Sequence, residues 1–325
     1  MTLLNKALVS WQKFWFDATS AAPLGVFRVL FGLVMLVNLL GQYLPFYDYF
    51  YGERALISWQ STYAYKWHLG NESLVTATGN LRAPVFDLMI FLPNSDLVFH
   101  LFFCLTLLFA LFMTVGFFTR TSCVLLFFFL LSLNNHCPFT IHAGDNYARL
   151  VVLFMCFSNS GAVLSVDAFL KKREFRDVLI EPLCMRMIQV QFCFIYLVNW
   201  LYKLSGPAWN EGSAVYYATR LLQYFRFDYP WFMDNMMASK VLSWSTLVIE
   251  FSLIFLLWPK KTKYYMIVLG VLFHLSLDAF FNLGVFEWFF VVTFVLFVEP
   301  HVLINMGGRL LKGDYGFRLG KKVEG

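Results

Sequence analysis

Charged residues are scarce in this 325-residue chain. Asp, Glu, Lys and Arg make up only 14% of it, whereas 59% of the residues are hydrophobic and 39 of them are Phe. Soluble domains contain about 25% charged and about 45–50% apolar residues. The deficit excludes an ordinary soluble protein. Several runs reach about 20 residues with few charges, the length that crosses a bilayer. The sequence therefore predicts an all-α, multipass integral membrane protein whose first partner is the lipid bilayer.

Motifs for nucleotide, disulfide or metal chemistry are also missing. No Gly-rich phosphate-binding loop interrupts the chain, and its six cysteines form no CxxC pair. His136, His142 and Asp145 fall in one predicted outer loop, but their spacing is not that of a metal site. The net charge of +5 is scattered over short loops, which indicates cytoplasmic loops rather than a nucleic-acid surface. We therefore predict no metal and no nucleic-acid partner.

About eight apolar segments are predicted to span the membrane. They comprise residues 24–44, 97–118, 122–133, 147–163, 187–204, 241–258, 264–282 and 283–298. The third and fourth are short for a span, so one of them is open to interpretation as tilted or re-entrant. Residues 1–20 place Trp11, Phe14 and Trp15 against Lys6 and Lys13, which favours a helix lying on the membrane surface. The transmembrane domain then covers residues 21–302, and a basic cytoplasmic tail covers 303–325.

The loops predict the orientation of the bundle. Lys and Arg concentrate before span one, after spans two, four and six, and after span eight. In an eight-span protein these segments share one side, so both termini are predicted to be cytoplasmic. In a bacterium the protein would lie in the inner, or plasma, membrane. Two longer outer segments, residues 45–96 and 205–240, are rich in Trp and Tyr. These rings form either an interfacial aromatic belt or the roof of an outer cavity.

Lys203 is the most informative residue of the chain. It stands where the fifth predicted span ends, just before a break at Ser205–Pro207, and Trp209 and Glu211 follow. An amine beside an apolar surface is costly to charge and is therefore a candidate base. The alternative is a lysine that reaches from the helix end to the lipid headgroups. A carboxylate paired with Lys203 would hold it charged, and Glu211 is the obvious competitor.

Ionisable residues inside the predicted spans give a second signal. His274 and Asp278 lie one turn apart on one helix face, where the carboxylate could orient the imidazole, and Glu250 could complete a proton relay. We expect Glu250 and His274 to face the bundle interior, since exposing either to lipid would cost at least about 2–3 kcal/mol. Two alternatives stay open, a structural hydrogen-bond network and an Asp278 at the outer interface.

Nine stretches, in their order along the chain, resemble the HTTM family, the horizontally transferred transmembrane proteins. This family includes the vitamin K-dependent γ-glutamyl carboxylases. The stretches are residues 24–32, 116–121, 144–149, 165–167, 186–191, 195–196, 203–212, 248–250 and 273–274. No one motif is strongly specific, but together they cover about residues 21–300. The resemblance implies a membrane-embedded helical domain with a substrate site on the outer face.

The resemblance also implies a chemistry. Lys203 matches the lysine that deprotonates vitamin K hydroquinone in the carboxylases, so a reduced quinone or another lipid-soluble molecule is the expected small-molecule partner. If the chain is an enzyme, carboxylase-like lyase and quinol epoxidase chemistry is implied. Glu211 and Asp145 join Lys203 as candidate catalytic residues. The candidate substrate-binding residues are Trp209, Arg186, Gln189, Tyr196, Glu250, His274 and Asp278.

Two departures from the carboxylases bear on the substrate. Gly144 and Asp145 stand where the carboxylases carry an Asn-His pair, and Asn135-His136 lies too far upstream to replace it. The sequence shows no counterpart of their large lumenal domain, which binds the peptide substrate. We therefore do not expect peptide γ-carboxylation, although a peptide or protein substrate stays open. The rival hypothesis is a proton-coupled transporter or a non-enzymatic membrane partner. No repeated pair of broken helices supports a transporter.

Overall fold

The structure, a computed structural model, describes residues 3–53, 55–56, 61, 86–172, 178–221, 223–224, 226 and 234–311. It is predominantly helical, as predicted. The α-helices are α1 Leu3–Phe16, α2 Ala22–Asn38, α3 Tyr47–Phe50, α4 Asp96–Val115, α5 Thr119–His136, α6 Ala143–Cys156, α7 Val166–Leu170, α8 Leu183–Ser205, α9 Pro207–Glu211, α10 Ala214–Ala218, α11 Met236–Leu256, α12 Lys263–Phe280, α13 Phe286–Thr293 and α14 Pro300–Leu311. Most of the predicted outer segment 45–96, with its aromatic residues from Trp59 to Trp67, lies outside the described residues. So does the basic tail from residue 312.

Five helices of the described part are long and apolar enough to cross a membrane. They are Ala22–Phe50, Asp96–Val115, Leu183–Ser205, Met236–Leu256 and Lys263–Phe280. They correspond to the predicted spans one, two, five, six and seven. A further pair of helices, Phe286–Phe297 and Pro300–Met306, would make a sixth span, but it bends by 106°. The multipass membrane fold is therefore confirmed, whereas eight spans and cytoplasmic termini stay predictions.

The first span is one long helical segment with an irregular outer half. After α2 the chain forms a π-helix over Leu39–Tyr43 and a 3-10 turn over Leu44–Phe46 before α3. The predicted spans three and four correspond to α5 and α6, which pack on each other and on α4 and α8. α6 has only 14 residues, fewer than the roughly 20 needed to span a bilayer.

One hydrophobic core joins these helices. Phe31 of α2 packs on Phe289 of α13 with ring centroids 5.2 Å apart, and Phe192 of α8 contacts Phe294 at 5.0 Å. All four side chains are buried. Gly32 lets α2 approach α4, because a Cβ there would lie only 2.2 Å from Thr114 Oγ1. Close helix contact through a small residue is typical of membrane bundles.

Arg28 ties the end of α6 to α2. Its fully buried guanidinium donates hydrogen bonds to the carbonyls of Ser160, at 2.7 Å, and of Leu164. The neighbouring Ser165 caps α7 and lies against Gly116, whose φ of 72° ends α4 in the left-handed conformation that glycine adopts easily. Three of the stretches that carry the family resemblance therefore meet here, and their shared role is to hold the helix connections together.

The segment before the first span docks at the same end. β1 Thr19–Ser20 pairs antiparallel with β2 Leu179–Ile180, just before α8. In α1, the Phe14 ring lies 5.5 Å from that of Trp258. This packing fixes α1 beside the start of α8 and the end of α11. A position of α1 on the membrane surface stays a prediction.

Candidate functional site

Lys203 forms an ion pair with Glu250. Lys203 lies in the last turn of α8, and its Nζ contacts Glu250 Oε1 of α11. The Lys203 side chain is 22% exposed and that of Glu250 only 6%. The other oxygen, Glu250 Oε2, is buried and has no hydrogen-bond partner within the described residues. Lys203 is therefore not a fully exposed residue that reaches to the lipid headgroups. Glu250 Oε2 is free to form a further hydrogen bond.

Trp209 covers the lysine. Lys203 Nζ lies 5.0 Å from the centroid of the Trp209 ring, a cation–π geometry. Gly206 starts α9 after the break, so the chain turns back over the end of α8. Gly212 ends α9 at φ 78°, and its carbonyl accepts hydrogen bonds from Ser239 and Ser243 of α11. The helix that presents Glu250 thus also holds the loop that presents Trp209.

Glu211 is not the partner of Lys203. The carboxylate that pairs with the amine is Glu250, and Glu211 is exposed at the end of α9. The pairing with Lys203 expected of Glu211 is therefore made by Glu250. The reason is that Glu250 approaches from a neighbouring helix, a contact that the local sequence around Lys203 does not reveal. A catalytic role of Glu211 stays a prediction without a contact to support it.

A second polar cluster, formed by Tyr196, His274 and Glu287, is more deeply buried than the Lys203–Glu250 pair. Tyr196 Oη lies 2.5 Å from His274 Nε2, and His274 Nδ1 contacts the carboxylate of Glu287. Tyr196, His274 and Glu287 are 2%, 3% and 1% exposed. The interior positions of Glu250 and His274 are thus confirmed. Tyr196 precedes Lys203 by about two turns of α8.

Glu287 is the site residue that the sequence analysis missed. It is a single carboxylate within the apolar run Phe286–Phe290, which was assigned as a whole to the predicted eighth span. A carboxylate at such a position is a functional signal, since an unpaired charge there is costly. The helix α13 carries it toward α12, where it meets the imidazole.

The predicted pairing of His274 with Asp278 is wrong. Asp278 instead forms an ion pair with Arg226, with 3.5 Å between its Oδ1 and Nη2 of Arg226. Its side chain is 17% exposed, near the end of α12. Glu287 takes the orienting role because the turn after α12 folds α13 back against the imidazole. The hydrogen-bonded chain is therefore Tyr196–His274–Glu287, and Asp278 lies outside it.

Asp145 occupies a separate position at the start of α6. Its carboxylate accepts hydrogen bonds from Asn38 Nδ2, at 2.9 Å, and from the backbone N–H of His142, at 3.1 Å. These bonds cap the helix, which is a sufficient structural role. His142 also lines a cavity of about 170 Å³ with Gln42, Tyr43, Phe46, Phe50, Tyr51 and Thr140. The structure shows no contact between Asp145 and Lys203.

Arg186 and Gln189 lie at the other end of α8. Arg186 is 17 residues before Lys203, which corresponds to about 25 Å along the helix. Arg186 Nη1 donates to Gln189 Oε1 at 2.9 Å, and Gln189 Nε2 donates to the Leu296 carbonyl at 2.6 Å. A small substrate group held by Lys203 cannot contact them at the same time. The single substrate surface predicted from the sequence is therefore divided into two places.

The site at the end of α8 combines three chemical features. A lysine and a carboxylate form an ion pair, the second carboxylate oxygen has no partner among the described residues, and an indole ring lies over the amine. Behind them lies a hydrogen-bonded chain of Tyr196, His274 and Glu287. A model of the HTTM domain matches residues 50–301 of the chain. No solved structure matches it.

Proposed function

Because the chain belongs to the HTTM family, we propose that it is an integral membrane enzyme that takes a proton from a lipid-soluble, quinol-type substrate. Its base is the Lys203–Glu250 pair. The observation that carries this proposal is the unpartnered, buried Glu250 Oε2 beside a paired Oε1. A buried polar atom without a partner costs about 1–3 kcal/mol, and the oxygen of a substrate hydroxyl would supply the missing partner.

The proton can move without creating an isolated buried charge. A solvated carboxylate would hold the paired amine charged, but burial favours the neutral form of the pair over two ions. In that form the amine donates an N–H to Glu250 Oε1, and the carboxylic acid carries its proton on Oε2. The lone pair of Lys203 Nζ then accepts the hydroxyl proton, and the resulting ammonium stabilises the substrate oxygen anion. Trp209 would stack on an aromatic ring. A reduced quinone would supply both the acidic hydroxyl and this ring.

The direct test replaces the base while keeping its positive charge. Purified protein in nanodiscs would be titrated with vitamin K hydroquinone in aerated buffer, with binding followed by quenching of Trp fluorescence. Dissolved O2 is the oxidant of the deprotonated quinol, so oxygen consumption measures turnover. Lys203→Arg cannot act as a base near neutral pH, so turnover should fall about 100-fold or more. Lys260→Arg, at an exposed loop position, is the matched control and should retain wild-type turnover.

Two outcomes would contradict the proposal. One is a Lys203→Arg protein that keeps full turnover, which would return Lys203 to a structural role. The other is a wild-type protein that neither binds nor oxidises any of a series of quinols and lipid-soluble phenols. A Glu250→Gln variant separates binding from chemistry, since it retains an oxygen acceptor but loses the charge that pairs with Lys203.

Proton-coupled transport is the second candidate, and the Tyr196–His274–Glu287 relay favours it. Buried ionisable chains of this kind carry protons in transporters. Proteoliposomes loaded with a pH-sensitive dye distinguish the two functions. A substrate-dependent proton flux that His274→Gln abolishes and Lys203→Arg leaves intact would support transport over quinol chemistry.

A further inference from the structure

We propose that a second site, at the opposite end of α8 from Lys203, binds a phosphate group. The site is a cavity of about 130 Å³ between the start of α8, the end of α11 and the 3-10 turn after α13. Arg186, Gln189 and Lys263 contribute its polar groups, together with Thr19 of β1 and Glu299. The volume suits a small anionic group such as a phosphate rather than an aromatic substrate.

Arg186 has no anionic partner among the residues that the structure describes. Its Nη1 donates to the neutral amide of Gln189, and its guanidinium carbon lies 4.8 Å from the Phe14 ring centroid. Its Nε is buried without a hydrogen-bond partner, and no carboxylate of the described residues forms an ion pair with it. Arg186 is partly buried, and a guanidinium withdrawn from water is normally paired with an anion, because its desolvation is otherwise uncompensated. The planar donor edge of arginine matches phosphate oxygens well.

Lys263 adds a second positive charge. Its Nζ lies 3.9 Å from Glu299 Oε1, at the outer limit of an ion pair, and its side chain is only 14% exposed. Glu299 also approaches His301, with 3.5 Å between Oε2 and Nδ1. The cavity therefore contains two permanent cations and one carboxylate, a net charge of +1 that an anion would balance.

Gln189 prepares Arg186 for this role. It is 2% exposed, and its amide nitrogen is fixed by the Leu296 carbonyl, so its amide oxygen must face Arg186. The hydrogen bond to Nη1 then holds the guanidinium in one orientation. Such preorganisation lowers the entropy cost of binding.

Aromatic rings beside the cavity indicate that it lies at the level of the lipid headgroups. Trp258 lines it, and Phe14 of the amphipathic α1 contacts both Trp258 and Arg186. Trp side chains concentrate at the level of the lipid headgroups, where phosphate groups are abundant. The phosphate comes either from a lipid headgroup or from free phosphate in solution.

Native mass spectrometry of the detergent-solubilised full-length protein tests the site. The probes are short-chain phosphatidic acid, the phosphatidylcholine of the same chain length, and inorganic phosphate. We expect wild type to retain phosphatidic acid over phosphatidylcholine. Arg186→Gln and Lys263→Gln should each weaken phosphatidic acid binding about tenfold or more, the effect of losing a charge-assisted hydrogen bond. The control Lys261→Gln removes the same charge from the neighbouring turn, outside the cavity, and should change binding less than about twofold.

The outcomes separate the sources and can overturn the site. Competition by inorganic phosphate at equal concentration would identify free phosphate as the ligand, whereas its failure to compete would identify a lipid headgroup. Equal losses in Lys261→Gln and Arg186→Gln would reduce the effect to general surface charge and refute the site. So would wild-type binding in both cavity variants. Thermal unfolding without ligand checks that Arg186→Gln folds, and Arg186→Lys should recover part of the binding.

Discussion

At the scale of single residues, the partner of each buried charge decides its role. Lys203 faces Glu250 rather than water, and His274 faces Glu287 rather than lipid. Both carboxylates come from other helices. Paired charges of this kind persist in a membrane interior because removing either partner leaves the other uncompensated. The two clusters therefore couple the packing of α8, α11, α12 and α13 to the chemistry of the site.

Glu287 is predicted to be a stability residue as well as a relay member. Glu287→Leu leaves His274 Nδ1 without an acceptor in a buried position, so the free energy of unfolding should fall by about 1–3 kcal/mol. Thermal unfolding in detergent, followed by Trp fluorescence, measures the loss. Glu181→Leu, at an exposed position, is the matched control and should unfold like wild type. A Glu287→Leu protein as stable as the control would show that the pair contributes nothing to the fold.

At the scale of elements, short connections between the helices carry unusual polar contacts. Asp167 of α7 accepts hydrogen bonds from the backbone N–H groups of Phe118, at 2.9 Å, and Thr119, at 2.8 Å. The Thr119 hydroxyl donates a third at 2.7 Å. These donors belong to the first turn of α5, whose N–H groups have no partner within their own helix. A residue of one helix therefore caps another.

This cap predicts a pH-dependent contribution to stability. Partial burial alone would raise the pKa of Asp167, but the hydrogen bonds from Thr119 and Phe118 outweigh it and lower the pKa below its usual value. A depressed pKa stabilises the fold above the unfolded-state value of about 3.9, and this stability is lost as pH falls through the lower folded-state value. Asp167→Asn should therefore melt earlier than wild type at pH 7.

The difference in melting temperature between Asp167→Asn and wild type should shrink as the pH falls below about 4. There the Asp167 carboxylate of the wild type also becomes protonated. Melting temperatures from pH 7 to pH 3 measure it. Asp17→Asn removes an exposed carboxylate and should follow wild type throughout. A pH-independent gap between Asp167→Asn and wild type would mean that shape, rather than charge, makes the cap.

At the scale of the whole molecule, the two ends of α8 are chemically distinct. One end holds the Lys203–Glu250 pair under Trp209, and the other holds Arg186 beside α1. A helix of 23 residues separates them by most of the thickness of a bilayer. The predicted orientation puts the first end outside and the second at the cytoplasmic face.

Reporter fusions test this orientation. Fusions after Lys171 and after Lys263 should report a cytoplasmic location, because Lys and Arg concentrate in these loops. A fusion after Asn210 should report an external one. An external signal from the Lys171 fusion would invert the assignment of the two ends of α8, and with it the face on which the quinol-type substrate is expected.

The membrane class, the positions of five long spans and the placement of Lys203 at a helix end follow from the sequence alone. Apolar length and depletion of charge are one-dimensional properties, and so is the break at Ser205–Pro207 that places an amine at a helix end. The burial of Glu250 and His274 also follows, because only the bundle interior accepts such groups at low cost. The sequence was therefore sufficient to predict the helical membrane fold class.

Only the tertiary structure decided which of these groups meet. Lys203 and Glu250 are 47 residues apart, and His274 pairs with a carboxylate 13 residues away rather than with Asp278 one turn along. Helical spacing identifies neighbours on one helix, but contacts between helices depend on crossing geometry and connections that no local pattern encodes. Arg186 and Lys203 are the exception, because they share α8. The 17 residues between them place the two side chains about 25 Å apart, so grouping them in one site overlooked the length of the helix rather than a contact between helices.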